Sequence, residues 1–146
     1  MNLKCTETFE STSDVYYDLL SEKEYKSRLS EPSKYRYRQI ISMGGSRSSK
    51  SYSILQLLMV EMIRNKNIKI TVWRNTKVTC KSSVMEDFQK IIAFDNNIFV
   101  NFKENKQSST FTYKKTGSKI IFTGADDVGK VLGSAQDISF FNEVTE

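Results

Sequence analysis

From residue 51 to residue 65, apolar side chains recur at helical spacing: Ile54, Leu55, Leu57, Leu58, Met59, Met62 and Ile63. They cover most of a helix's circumference, as expected for a helix held between a sheet and another layer. Before it, KYRYRQIISM reads as a strand running into glycines; after it, IKITVW is a second strand that ends at Arg74. Val84, Met85, Phe88, Ile91 and Ile92 give one apolar face to a helix over 83–93, with Ser83 and Glu86 at its cap. Over 98–122 the period changes. IFVNF, STFTYKK and SKIIFTG are short alternating runs separated by Asn, Ser and Gly, which predicts a small antiparallel hairpin system. DISFFNE supplies a final strand. The first 34 residues are polar and helical in pattern: Ser21 with Glu24 fits a capping box, Val15, Leu19 and Leu20 form an apolar stripe, and Pro32 ends the segment.

Strands that alternate with helices at both ends predict an α/β sandwich with a largely parallel sheet. The chain divides into a mainly helical segment, 1–34, and one domain, 35–146; its length of 146 residues suits a single core. Composition changes this picture little, but it narrows the chemistry. Histidine is absent, so Ser-His-Asp, Cys-His and His-metal chemistry are excluded within the chain. Cys5 and Cys80 stand alone and far apart, which predicts a reducing interior rather than a disulfide framework or zinc site. The formal charge of +5 permits contact with nucleic acid without demanding it, because the charges are scattered. The start, MNLKCTETFESTSD, lacks the apolar core of a signal peptide, and the apolar run 54–63 is broken by Gln56 and Glu61. The expectation is a cytosolic protein without a membrane span.

The stretch GGSRSSKS, residues 44–51, carries the candidate chemistry. A phosphate loop has the form G-x-x-x-x-G-K-[ST] between a strand and a helix. Gly44, Lys50 and Ser51 stand at that spacing, with Ser49 in place of the second glycine. Gly44, Gly45, Ser46, Ser48 and Ser49 keep the backbone approachable, so that its N–H groups and the helix N-terminus face the phosphates. Lys50 reaches the terminal phosphates and Ser51 offers a hydroxyl to Mg²⁺. The alternative is a Ser/Gly turn that merely caps a helix. A side chain at Ser49 is expected to weaken binding rather than abolish it. Downstream, the buried run Ile138, Ser139, Phe140 and Phe141 ends in Asn142 and Glu143, the place where such sites carry a metal-orienting residue and a base for water. Asn142 can accept a bond from a metal-bound water but adds no charge; Glu143 is the candidate base.

In this order, GGSRSSKSYSILQLL, ITVWRNT and KIIFTGADDVGKVLGSAQDISFFNEVTE resemble the large subunit of tailed-phage terminases, ATP-driven motors that package double-stranded DNA into proheads. The resemblance covers roughly 35–146. It implies a P-loop NTPase-type three-layer sandwich, of which this chain holds the N-terminal ATPase portion, with the hairpins as an insertion. It also implies that Gly45, Ser46, Arg47, Ser48, Ser49, Lys50 and Ser51 bind ATP phosphates. Arg47 would stabilise γ-phosphate charge, and Asn142 and Glu143 would form the strand-end pair, with Mg²⁺ as the ion.

Implied partners are double-stranded DNA, a portal protein, a small terminase subunit and further copies in a ring, in the cytoplasm of an infected bacterium. Gln39 is a candidate adenine contact, although a surface strand residue explains it too. Arg74 is placed either to reach a neighbouring subunit or simply to face solvent. Asp126, Asp127 and Lys130 match a family segment without an assigned role. Tyr35, Arg36, Tyr37 and Arg38 suit base stacking or ordinary strand alternation. Family members are longer and continue into a nuclease, so the 146 residues are expected to be a fragment with reduced activity alone. Another P-loop DNA-translocating ATPase and a non-catalytic nucleotide-binding module remain the alternatives.

Overall fold

Strand β1 (Lys69–Arg74) organises the molecule, because it is hydrogen-bonded on both sides to strands that run parallel to it. The computed structural model describes residues 50–127 and 135–143. The expected helical segment 1–34, with Ser21, Glu24, Val15, Leu19, Leu20 and Pro32, lies outside them, as do Tyr35, Arg36, Tyr37, Arg38 and Gln39 on the expected loop strand.

Helix α1 (Lys50–Arg64) precedes β1. After β1 come α2 (Lys77–Cys80), a π turn (Lys81–Met85) and α3 (Glu86–Ala93), which form one helical run, then α4 (Asn96–Phe99). Strands β2 (Phe102–Asn105), β3 (Thr110–Tyr113) and β4 (Lys119–Gly124) follow, then a 3-10 turn (Ala125–Asp127) and β5 (Ile138–Phe141). The five strands form one sheet in the order β2-β3-β4-β1-β5. Strands β4 and β5 flank β1 in parallel, whereas β3 is antiparallel to both β2 and β4. Among the described residues the fold is therefore mixed α/β, with a sheet that is partly parallel and partly antiparallel. The expected antiparallel hairpins are present and extend the main sheet.

Alternation along the strands creates the core. Ile70 and Val72, Ile120 and Phe122, Phe111 and Tyr113, and Phe102 share one face with Leu55, Leu58, Met59 and Met62 of α1. Phe88 of α3 is fully buried among the rings of Phe102, Phe111 and Phe122, with centroids 5.8, 5.3 and 5.6 Å away. Each such side chain contributes about 1.5–3 kcal/mol on burial, so this aromatic nest fixes α3 on the hairpin half of the sheet.

Two predicted boundaries move. The helix expected from Ser83 begins at Lys77, because Thr76 is its cap: the Thr76 Oγ1 accepts from the Thr79 backbone N–H at 3.2 Å. Ser83 lies inside the π turn. Ile98 and Phe99 of the IFVNF run are helical rather than extended, because the Asp95 carboxylate accepts from the Asn97 N–H at 2.8 Å and nucleates α4.

The turn between β3 and β4 is tied to the end of α1. Thr116 Oγ1 donates to the Met62 carbonyl and Ser118 Oγ to the Asn65 carbonyl, each at 2.6 Å, which satisfies acceptors that a helix end leaves open. Gly117 is needed here: its φ is +75°, and a Cβ would lie 2.5 Å from Asn67 Oδ1. None of the described helices is long and apolar enough to cross a membrane.

Candidate functional site

Of the expected phosphate loop, Gly44, Gly45, Ser46, Arg47, Ser48 and Ser49 lie outside the described residues. Lys50 and Ser51 are described, and they open α1. No acidic residue stands in the first turn of that helix, so its positive end is not offset from within.

The parallel ladder of β1 and β5 brings the second half of the expected site to the same place. Its register pairs Trp73 with Phe141, and the next backbone bond runs from the Asn142 N–H to the Trp73 carbonyl at 2.9 Å. This fixes Asn142 at the carboxyl end of the sheet, where its side chain is buried, 5% exposed. There its Nδ2 donates to Ser51 Oγ at 2.5 Å. The two residues expected to face one metal ion are thus in direct contact, although 91 positions separate them.

Directly after Asn142 the backbone turns left-handed, with φ +48° at Glu143. A non-glycine residue rarely adopts this conformation. Glu143 Oε2 accepts from the Arg74 guanidinium at 2.5 Å; the Glu143 side chain is 67% exposed and that of Arg74 22%. Arg74 also donates to Ser83 Oγ, and Ser83 Oγ donates in turn to the Thr79 carbonyl at 2.6 Å. The π turn therefore holds the hydroxyl that steadies the arginine, a recurrent use of π geometry near functional groups. Arg74, with both a neighbour-reaching and a solvent-facing role open to it from sequence, meets a carboxylate of its own chain.

Beside it, Gly124 ends β4 in register with Arg74. A Cβ at Gly124 would collide with the backbone N of Lys77 and lie 2.5 Å from the Thr76 carbonyl carbon. Glycine lets β4 pack against the capped start of α2, which accounts for the glycine of the IIFTGADD stretch. The sequence pattern assigns this residue no role; a glycine ending a strand is the one signal it offers. Asp126 is exposed, and among the described residues no cluster of acidic and sulfur ligands suits a metal ion. Lys130 lies outside the described residues.

Cys80, under the sheet end, is fully buried and its Sγ lies 3.9 Å from the Val72 carbonyl. Burial pushes its thiol up to about 11 against opposing pulls from the Thr123 backbone and Arg74. It is a packed apolar group rather than a nucleophile.

These elements define a mixed α/β domain in which a helix N-terminus, a buried amide and a carboxylate–guanidinium pair meet at one end of the sheet. Among protein families, that of the phage terminase large subunit matches residues 36–145. The match spans most of the chain, and the chain belongs to this family, whose role is phage DNA packaging. Comparisons with curated proteins and with solved structures give no match.

Proposed function

We propose that the chain binds MgATP where Ser51 meets Asn142 and hydrolyses it to drive double-stranded DNA into a prohead. The single observation that carries this reading is the 2.5 Å contact between the start of α1 and the end of β5. A helix N-terminus beside the carboxyl end of a parallel strand pair is where nucleotides bind in α/β sheets.

Lys50 binds the terminal phosphates, and Gly44, Gly45, Ser46, Arg47, Ser48 and Ser49 wrap them with backbone N–H groups. Ser51 Oγ would hold a magnesium ion and the Asn142 amide would accept from a water bound to it, a fit for an ion that commonly keeps several waters and needs few protein ligands. The amide can present its oxygen to a metal-bound water by rotating, because its two ends are nearly interchangeable in shape. When bound, the ion neutralises phosphate charge. Glu143 then accepts the proton of the attacking water, and Arg47 steadies charge at the γ-phosphate. In the structure Glu143 is engaged by Arg74, so hydrolysis requires the carboxylate to leave that partner.

Double-stranded DNA, a portal protein, a small terminase subunit and ring-forming copies of the chain are partners under the same reading, in the cytoplasm of an infected bacterium. ATP binding compared between the native chain and Lys50→Ala tests it. Loss of affinity in the variant is expected; equal affinity removes the nucleotide site.

A second reading, a nucleotide-binding module without hydrolysis, is favoured by the neutral Asn142 at the metal position. ATP binding with no phosphate release under any Mg²⁺ concentration would establish it.

A further inference from the structure

The face of the sheet opposite α1 and α3 carries an ordered row of lysines. The register pairs Lys69 with Lys119, Lys119 with Thr112, and Thr112 with Lys103. Lys69, Lys119, Thr112 and Lys103 therefore lie side by side across β1, β4, β3 and β2. Lys103 and Lys119 are exposed and Lys69 is half-buried. The row lines a shallow depression of about 560 Å³, whose rim adds the hydroxyls of Ser108 and Thr110.

Lys69 and Lys119, directly paired on neighbouring strands, repel each other, where an opposite-charge pair would stabilise the sheet. Among the described residues no carboxylate forms an ion pair with any of the three. Glu104 on β2 turns to the helical side and accepts from Gln89 at 3.1 Å. Asp137, at the β1 end of the row, accepts from the Lys69 backbone N–H at 2.8 Å.

We propose that this row docks the sugar–phosphate backbone of double-stranded DNA, which deepens the packaging reading above and rests on it. Ammonium groups and hydroxyls around a shallow depression supply phosphate contacts and no base-reading element, as a motor indifferent to sequence requires. Four strands spaced by about 4.8 Å give the row a span of about 14 Å, close to the ~12 Å width of the major groove. Lys69 and Lys119 then meet phosphates on one lip and Lys103 on the other. An acidic protein segment is the less fitting occupant, because Ile121 is the one aliphatic side chain among the residues lining the depression, too little to anchor a peptide.

The test is fluorescence anisotropy with a labelled 30-base-pair duplex over a range of salt. Three proteins are compared with the native chain: Lys69→Gln, Lys103→Gln and Lys119→Gln combined; the same three changed to Arg; and Lys77→Gln, Lys81→Gln and Lys90→Gln on the helical run combined. The first set should bind roughly tenfold or more weakly, and its salt slope should fall by about 3, one counterion for each phosphate that is no longer neutralised. The arginine set should bind as the native chain does, and the helical set should keep most of its affinity. Equal weakening in both glutamine sets would overturn the row as a site, leaving only the general basic charge. Binding of the native chain to poly-glutamate but not to the duplex would overturn it in favour of an acidic protein. The Lys50→Ala variant is carried in parallel: row-dependent duplex binding without any ATP affinity would sustain the row while the ATP-driven reading fails.

Discussion

Asn142 donates from its buried amide to the hydroxyl of Ser51, so the last strand and the first described helix are joined by one side-chain bond of 2.5 Å. Removing that amide tests whether the junction serves a metal ion. Asn142→Ala should weaken Mg²⁺-dependent ATP binding. Asn142→Asp adds a charge at the same position and should lower the Mg²⁺ concentration at half-saturation. An unchanged midpoint in the aspartate variant would show that this position does not sense the ion.

Glu143 and Arg74 separate a catalytic effect from a structural one. Glu143→Gln should leave ATP binding intact and slow hydrolysis roughly 10²–10⁴-fold, the usual contribution of a general base. The pair is largely exposed on the glutamate side, so Arg74→Ala should cost no more than about 1 kcal/mol in a denaturant titration. A greater cost would mean that the Arg74–Ser83 link, rather than the ion pair, holds the π turn in place.

Gly124 offers a purely steric prediction. A methyl group there collides with the backbone of α2, which cannot yield as a flexible side chain would. Gly124→Ala should destabilise the protein by about 1–3 kcal/mol, read from thermal unfolding. Asp126→Ser, at an exposed position, should be close to neutral by the same measurement.

Cys80 predicts the alkaline behaviour. Burial raises its thiol from 9.0 to about 11 in the folded chain, so the native state holds the proton more tightly than the unfolded state does. The stability from this neutral thiol is fully present below pH 9 and is lost as pH rises towards 11. Unfolding midpoints should therefore fall across that window in the native chain, and less steeply in Cys80→Ala. Parallel slopes would remove the thiol as the cause.

Much of this fold is legible in the chain. The apolar spacing of α1, the β1 run ending at Arg74 and the strand before Asn142 each come from local periodicity, which survives folding when an element is long or evenly alternating. The start at Thr76 is hidden because Lys77, Thr79, Lys81, Ser82 and Ser83 look like a loop, and only the threonine cap reveals a helix there. The IFVNF run misleads for the opposite reason: a short apolar run fits a strand or a helix, and the Asp95 cap decides between them. Ser51 and Asn142, expected at one metal from their spacing in two motifs, do meet. The Glu143–Arg74 pair is not foreseeable from sequence, because it depends on which strand lies beside β1, and that adjacency is a property of the whole sheet.

The clasp of Thr116 and Ser118 on the carbonyl end of α1 turns that helix into a lever. Its 15 residues make a stiff rod about 22 Å long, anchored at Ser51 to β5 and at its far end to the turn that joins β3 and β4. A tilt imposed at the Ser51 end is carried along the rod. It arrives at the hairpin, and with it at the strands that carry Thr112 and Lys119.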